Sequence, residues 1–165
     1  MERSNVRKWA PQITLAPIRG DVTLANNLKL TQGALFGAWI LALMSSLVVL
    51  YVGEVQGRAP CVLCWYQRAF MFPLVLVLGA GLWWEDKLAG RYGILLAAIG
   101  GGIAAYHLGL YIGYLPQQIQ PCTATGPSCT DSNQLLLGVP IPLLSLLAFS
   151  VIAVLSAMSL KGRSS

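Results

Sequence analysis

The run QGALFGAWILALMSSLVVLYV at residues 32–52 carries no charged side chain. Spanning a bilayer takes about 20 apolar residues in a helix, and three further stretches approach that length: Tyr66–Trp84, Tyr92–Leu115 and Leu135–Met158. Only 10% of the chain is charged and its mean hydropathy is +0.65, too apolar for a soluble domain of 165 residues. Backbone groups in hydrocarbon must bond within their own segment, so each stretch is expected to be helical. The fold class that follows is all-α: a bundle of four transmembrane helices, forming one membrane domain over residues 32–160. Residues 1–31 read as a polar, Pro-broken tail, partly disordered and without the apolar core of a cleavable signal peptide. Residues 161–165 form a short C-terminal tail.

The net charge of +5 is distributed as a topology signal rather than as a nucleic-acid footprint. Arg3, Arg7, Lys8, Arg19 and Lys29 precede the first span, Lys87 and Arg91 separate spans two and three, and Lys161 and Arg163 follow span four. The loop after span one holds only Arg58, and residues 116–134 hold no Lys or Arg. Basic residues favour the cytoplasmic ends of helices. Both termini are therefore expected in the cytoplasm, and both outer loops on the far side of the membrane.

Within the spans, Gly101, Ala105, Gly109 and Gly113 recur every four residues and suggest a small-residue packing face. Pro73, Pro140 and Pro142 are expected to bend their helices. Trp83 and Trp84 fall where an interfacial aromatic belt would lie.

The four cysteines form two pairs, Cys61-Val62-Leu63-Cys64 and Cys122 with Cys129, and both fall in the outer loops. Disulfides persist on that side of a bacterial membrane. Pro60 before Cys61 suits a helix start. Cys61, Cys64 and Arg68 would then share one face, where the helix N-terminus and a guanidinium both favour a thiolate. A static disulfide or half of a zinc site is the bland alternative for the pair, and a lipid-phosphate anchor for Arg68. Yet an arginine inside a span is costly, which favours a functional charge. The segment between Cys122 and Cys129 contains a Gly-Pro turn signal and is accessible, as a labile disulfide must be. His107, the single histidine, lies in the outer half of span three, with Tyr111 and Tyr114 at helical spacings behind it. Its imidazole can hydrogen-bond a quinone carbonyl or relay a proton, or it can simply be a bonded ring within the bundle. Glu54 reads as an interfacial acid that stays wet.

The run Pro60-Cys61-Val62-Leu63-Cys64-Trp65-Tyr66-Gln67-Arg68, followed by Met71-Phe72-Pro73-Leu74, resembles the active-site segment of the DsbB family of membrane disulfide-forming oxidoreductases. Its C-W-Y-Q-R run is especially similar to the short BdbC-type members. Pro121-Cys122, Cys129-Thr130, Gly138 and Pro140-Ile141-Pro142 match as well, and only the N-terminal tail falls outside the likeness. The long second outer loop of some family members is missing. The resemblance implies an enzyme of the inner membrane, a quinone-dependent protein-dithiol oxidoreductase. Its partner would be a DsbA-like thioredoxin-fold oxidase and its cofactor ubiquinone or menaquinone. The DsbA–DsbB–quinone system is what keeps a bacterial periplasm oxidising.

The resemblance also assigns roles. The partner's thiolate would attack the Cys122–Cys129 disulfide at Cys122, and Cys129 would attack Cys61, taken as the more exposed of its pair. Cys64 would then be released beside Arg68 to reduce the quinone, with His107 near the quinone. No residue is assigned to a metal. The alternatives are a relative of vitamin K epoxide reductase, in which the order of the pairs is reversed, and a membrane scaffold with a four-cysteine zinc site or static disulfides.

Overall fold

The structure, a computed structural model, describes residues 18–86, 88–115, 135–136 and 138–161, with side-chain detail from Lys29 to Leu160. Cys122, Cys129 and the loop they bracket lie outside the described residues. Four helices carry the fold: α1 (Ile18–Leu50), α2 (Val62–Trp83), α3 (Ala89–Tyr111) and α4 (Ile141–Lys161). α1 runs on into a π-helical turn at Tyr51–Val55. Two short strands, β1 (Leu135–Leu136) and β2 (Val139–Pro140), pair antiparallel just ahead of α4. All four helices are long and apolar enough to cross a membrane, the first over Lys29–Val55. Each packs on two neighbours, in the cyclic order α1, α2, α3, α4 and back to α1.

The bundle turns one apolar face of each helix inward. Leu35, Ala38 and Ala42 of α1 meet Met71, Leu74 and Leu78 of α2, Ala97 and Ala104 of α3, and Phe149 and Ile152 of α4. Comparably large apolar residues, among them Leu76, Leu95 and Val154, stay more than half exposed. Apolar surface on every outward face is what a lipid environment covers.

Helix ends follow from local chemistry. α2 ends at a turn in which Glu85 has φ 52°, and the Asp86 N–H reaches back to the Gly81 carbonyl at 3.0 Å. Asp86 also accepts from the Leu88 N–H at 2.8 Å, closing the turn into α3. At the other end of α3, Gly113 has φ 76° and the Tyr114 N–H bonds the Gly109 carbonyl at 2.9 Å. A left-handed residue of this kind ends a helix by satisfying its last carbonyls, and glycine does so without a Cβ penalty.

Four expectations need correction. First, α1 begins at Ile18, so the first helix extends through residues 18–31, which the sequence assigned to a partly disordered tail. Second, the last helix starts at Ile141, because Leu135–Leu136 and Val139–Pro140 form the strand pair. Pro140 and Pro142 thus mark the start of α4 and do not bend its interior, whereas Pro73 does lie inside α2. Third, the packed face of α3 is not Gly101, Ala105, Gly109 and Gly113. The buried face runs through Gly90, Gly93, Ala97, Gly100, Ala104, His107 and Leu110, at mixed spacings of three and four, with Ala89 also buried at its start. The period of 3.6 residues drifts off any strict four-residue repeat. Fourth, Tyr114 lies beyond the helix end and is exposed, so it does not share the face of His107.

Candidate functional site

Cys61 is the N-cap of α2, in an extended conformation with φ −70° and ψ 169°. Val62 opens the helix, so Cys64 is its third residue. N-cap and N3 are the two positions whose side chains meet across a helix start, and here the two sulfurs lie 3.2 Å apart. The pair stands in its dithiol form, with no bond between the two sulfurs. The Trp65 N–H closes the first turn on the Cys61 carbonyl at 3.1 Å.

The two sulfurs face different surroundings. Cys61 is only 1% exposed, packed with Leu63 and Leu110 and bordered by Ile103 and Leu115. Its Sγ lies 3.7 Å from Nε2 of His107. The far side of that buried ring, Nδ1, is 3.0 Å from the side-chain amide of Gln67. Cys64 is partly exposed and lines a cavity of about 440 Å³ between α1, α2 and α4. The expectation that Cys61 is the more exposed member is therefore reversed. The end of α3 covers Cys61, while Cys64 faces the cavity that α1 and α4 help to wall.

The thiol of Cys61, which stands just before the span, is pushed up to about 12. The chief cause is its hydrogen bond to Cys64, followed by burial; His107 works in the opposite direction. A helix N-terminus favours a thiolate, but at this N-cap the neighbouring sulfur and the dry packing outweigh it. These surroundings hold Cys61 in its protonated form.

Arg68 is buried, 7% exposed, and also lines the cavity. Its guanidinium is anchored on α1: Nη2 donates to the Val49 carbonyl at 3.0 Å. The π turn that follows lets the chain approach closely. A Cβ on Gly53 would come within 3.0 Å of Nη2 and 3.3 Å of Nη1. The Trp65 ring lies 5.5 Å from the guanidinium carbon, within cation–π range. Nε of Arg68 is buried with no hydrogen-bond partner among the described residues. A buried donor left unpaired is costly, which marks Arg68 as a group whose hydrogen bonding is not completed by the described residues.

Of the sequence-derived site residues, Cys61, Cys64, Arg68 and His107 come together, whereas Cys122 and Cys129 lie outside the described residues. His107 does not line the cavity; it stands on the α2–α3 side, behind Cys61 and Gln67. Gln67 and Gly53 were not singled out from the sequence. Gln67 touches both His107 and the cavity wall, and a polar amide within a span, beside the C-x-x-C, was the available signal. Gly53 gave none, because its role depends on a π turn. Glu54, in the same turn, is exposed. Beyond the turn, Arg58 donates from Nη1 to the Leu135 carbonyl at 2.8 Å, tying the segment before Pro60 to the strand pair at the cavity rim.

Comparison with known proteins is consistent with this arrangement. The family described as Disulfide bond formation protein DsbB matches residues 31–159. A probable disulfide formation protein of Metapseudomonas resinovorans is 50% identical over 127 residues, covering 76% of this chain and 88% of the relative. Disulfide bond formation protein C of Bacillus subtilis is 36% identical over 138 residues, covering 79% and 94%. A probable disulfide formation protein of Deinococcus radiodurans is 35% identical over 130 residues, covering 73% and 84%. No solved structure matches the chain.

Proposed function

Because this chain belongs to the DsbB family of disulfide bond formation proteins, we propose that it takes electrons from a DsbA-like thioredoxin-fold oxidase and delivers them to a membrane quinone. The observation that carries the quinone half is the shared cavity. Cys64 and Arg68 line one apolar space of about 440 Å³, walled by α1, α2 and α4, and Arg68 carries a buried Nε–H with no hydrogen-bond partner among the described residues. An apolar head group with two carbonyl oxygens fits that donor set and those walls. When bound, the quinone supplies a two-electron, two-proton acceptor.

The chain's own residues do the rest by thiol–disulfide exchange, in which a thiolate attacks a disulfide sulfur. The partner's thiolate attacks Cys122, breaking the Cys122–Cys129 bond and releasing the Cys129 thiolate. Cys129 attacks Cys61, breaking the Cys61–Cys64 bond and leaving Cys64 as the thiolate at the cavity wall. The partner's second thiol displaces Cys122, and the partner departs as a disulfide. Cys122 then re-forms its bond with Cys129 and frees Cys61. Two electrons now reside on the Cys61–Cys64 dithiol. Arg68, fixed by Val49 and Trp65, stabilises negative charge at Cys64 and at an acceptor oxygen, a preorganised electrostatic role. His107 acts from behind, holding Cys61 on one side and Gln67 on the other. The charge pattern supports placing both cysteine pairs on the periplasmic side, with both termini in the cytoplasm.

The test is reduction of the purified protein without oxygen, addition of one equivalent of a short-chain quinone, and alkylation to count the remaining thiols. Cys61 and Cys64 should lose their thiols as one quinol forms. Persistence of both thiols beside unreacted quinone would refute the proposal.

A further inference from the structure

The reduced site has a property that electron transfer does not require. Sγ of Cys61, Sγ of Cys64 and a ring nitrogen of His107 all lie within 4.8 Å of one another. We propose that the reduced dithiol and His107 form a Cys2His site for one zinc ion, and that zinc bound there withholds the dithiol from oxidation. Binding rests on the geometry alone; its inhibitory consequence rests on the quinone reading above.

The distances suit the ion. Tetrahedral zinc with Zn–S near 2.3 Å and Zn–N near 2.05 Å separates two sulfurs by about 3.8 Å and sulfur from nitrogen by about 3.5 Å. The structure has 3.2 Å between the sulfurs and 3.7 Å from Cys61 Sγ to His107 Nε2. The sulfurs need to part by about 0.6 Å and Cys61 Sγ to approach the ring by about 0.2 Å, while Cys64 Sγ, within 4.8 Å of the ring nitrogen, closes the third edge by rotation of its side chain. The donors also stand on rigid elements, the first turn of α2 and the buried face of α3.

The surroundings of the ring are those of a metal ligand. A ligating histidine commonly gives its other N–H to an acceptor that fixes tautomer and orientation. Gln67 sits at Nδ1, 3.0 Å away. Its amide oxygen and nitrogen exchange places by a flip; with the oxygen facing Nδ1–H, Nε2 is left with its lone pair toward the sulfurs. Charge agrees as well. Two thiols lose two protons on binding, so Zn2+ with two thiolates and a neutral imidazole carries no net charge, the least costly form in a dry site. Three protein ligands with a fourth position open are a recognised zinc arrangement. This site differs from one built of all four cysteines, because it needs the histidine and not the loop pair.

The experiment uses the full chain in lipid nanodiscs with Cys122→Ser and Cys129→Ser together, reduced without oxygen. Co2+ is titrated first, since its thiolate charge-transfer band reports sulfur ligation, and Zn2+ is then used to displace it. One equivalent should bind to the reduced protein and none after the Cys61–Cys64 pair is oxidised. His107→Ala should weaken binding at least tenfold, and Gln67→Leu, which keeps all three ligands, by about tenfold. Binding that survives both substitutions unchanged, or that vanishes with the loop cysteines alone, overturns the proposal. In parallel, quinone-driven reoxidation of the same protein should stop with Zn2+ and resume on chelation. A protein that binds zinc yet never reacts with quinone sinks the functional reading and leaves the metal site standing. Reoxidation that continues with zinc bound overturns the inhibitory role.

Discussion

Near the α2–α3 turn, α3 presses so closely on its neighbours that side chains are excluded. A Cβ on Gly90 would lie 2.6 Å from Ser159 Oγ and 2.9 Å from the Ser156 carbonyl, and one on Gly93 would lie 2.8 Å from both Leu78 and Ser156. Close backbone approach of this kind drives helix association where lipid offers no hydrophobic force. At the opposite end α1, α2 and α4 wall the cavity, and polar groups gather there instead: Cys64, Gln67, Arg68 and the Arg58 tie to Leu135. The same four helices thus supply a rigid clamp at one end and a ligand-sized space at the other. A ligand site needs its supporting shell held fixed, and glycine contacts along α3 provide that without narrowing the cavity, to which α3 contributes no wall.

The largest effect should come from the open end. Cys64→Ser, or Cys61→Ser, is expected to abolish repeated turnover with quinone, while the loop pair still oxidises one equivalent of partner. Thermal stability should barely change. Multiple turnovers in the Cys64→Ser protein would break the division of labour between the two pairs.

Arg68 comes next. Losing a charged hydrogen bond of about 1.5–3 kcal/mol corresponds to roughly 10–100-fold in affinity. Arg68→Ala should raise the quinone KM by about that factor, and Arg68→Lys by less, since it keeps charge but loses the planar fork. Insertion and stability should hold or improve, because a costly charge leaves the span. Gly53→Ala should reproduce a small part of the KM effect by pushing the guanidinium off its seat. Wild-type quinone kinetics in all three would reduce Arg68 to an anchor.

The clamp is tested by Gly90→Ala, whose Cβ would press on Ser159 Oγ and the Ser156 carbonyl, neither of which lines the cavity. Overpacking costs about 1–3 kcal/mol, so thermal stability in detergent should fall while the quinone KM stays put. A change in KM with unaltered stability would mean that the two ends are not separable.

Much of this was legible in the sequence. Four uncharged or nearly uncharged runs dictate the helices, and Cys61, Cys64 and Arg68 at intervals of three and four must gather near one helix start. What was not legible depended on neighbours. The strand pair at 135–140 is apolar and proline-containing, so by hydropathy alone it merges with α4. The packed face of α3 is chosen by Phe149 and Ser156 across the interface, which no reading of α3 alone reveals. The burial of Cys61 depends on where α3 ends, and that is decided by a glycine at positive φ.

That burial gives the smallest effect. With its thiol pushed up to about 12, Cys61 in the reduced protein is expected to alkylate with a rate still rising at pH 10. An ordinary thiol levels off once the pH passes about 8.5–9. Cys64→Ala removes the chief cause and should move the profile to lower pH. A plateau below pH 9 in the unaltered protein would show that Cys61 does not hold the proton.

The most direct measurement of the central claim is photolabelling with an azido-quinone, mapped by mass spectrometry. Labels are expected on cavity residues such as Met44, Val49, Met71 and Leu147, and they should be lost when unlabelled quinone competes. A second depression of about 370 Å³, lined by Gln32, Phe36 and Gly81, lies at the clamped end and contains no thiol. Labelling confined to that depression, with the cavity beside Cys64 and Arg68 unmarked, would contradict the claim.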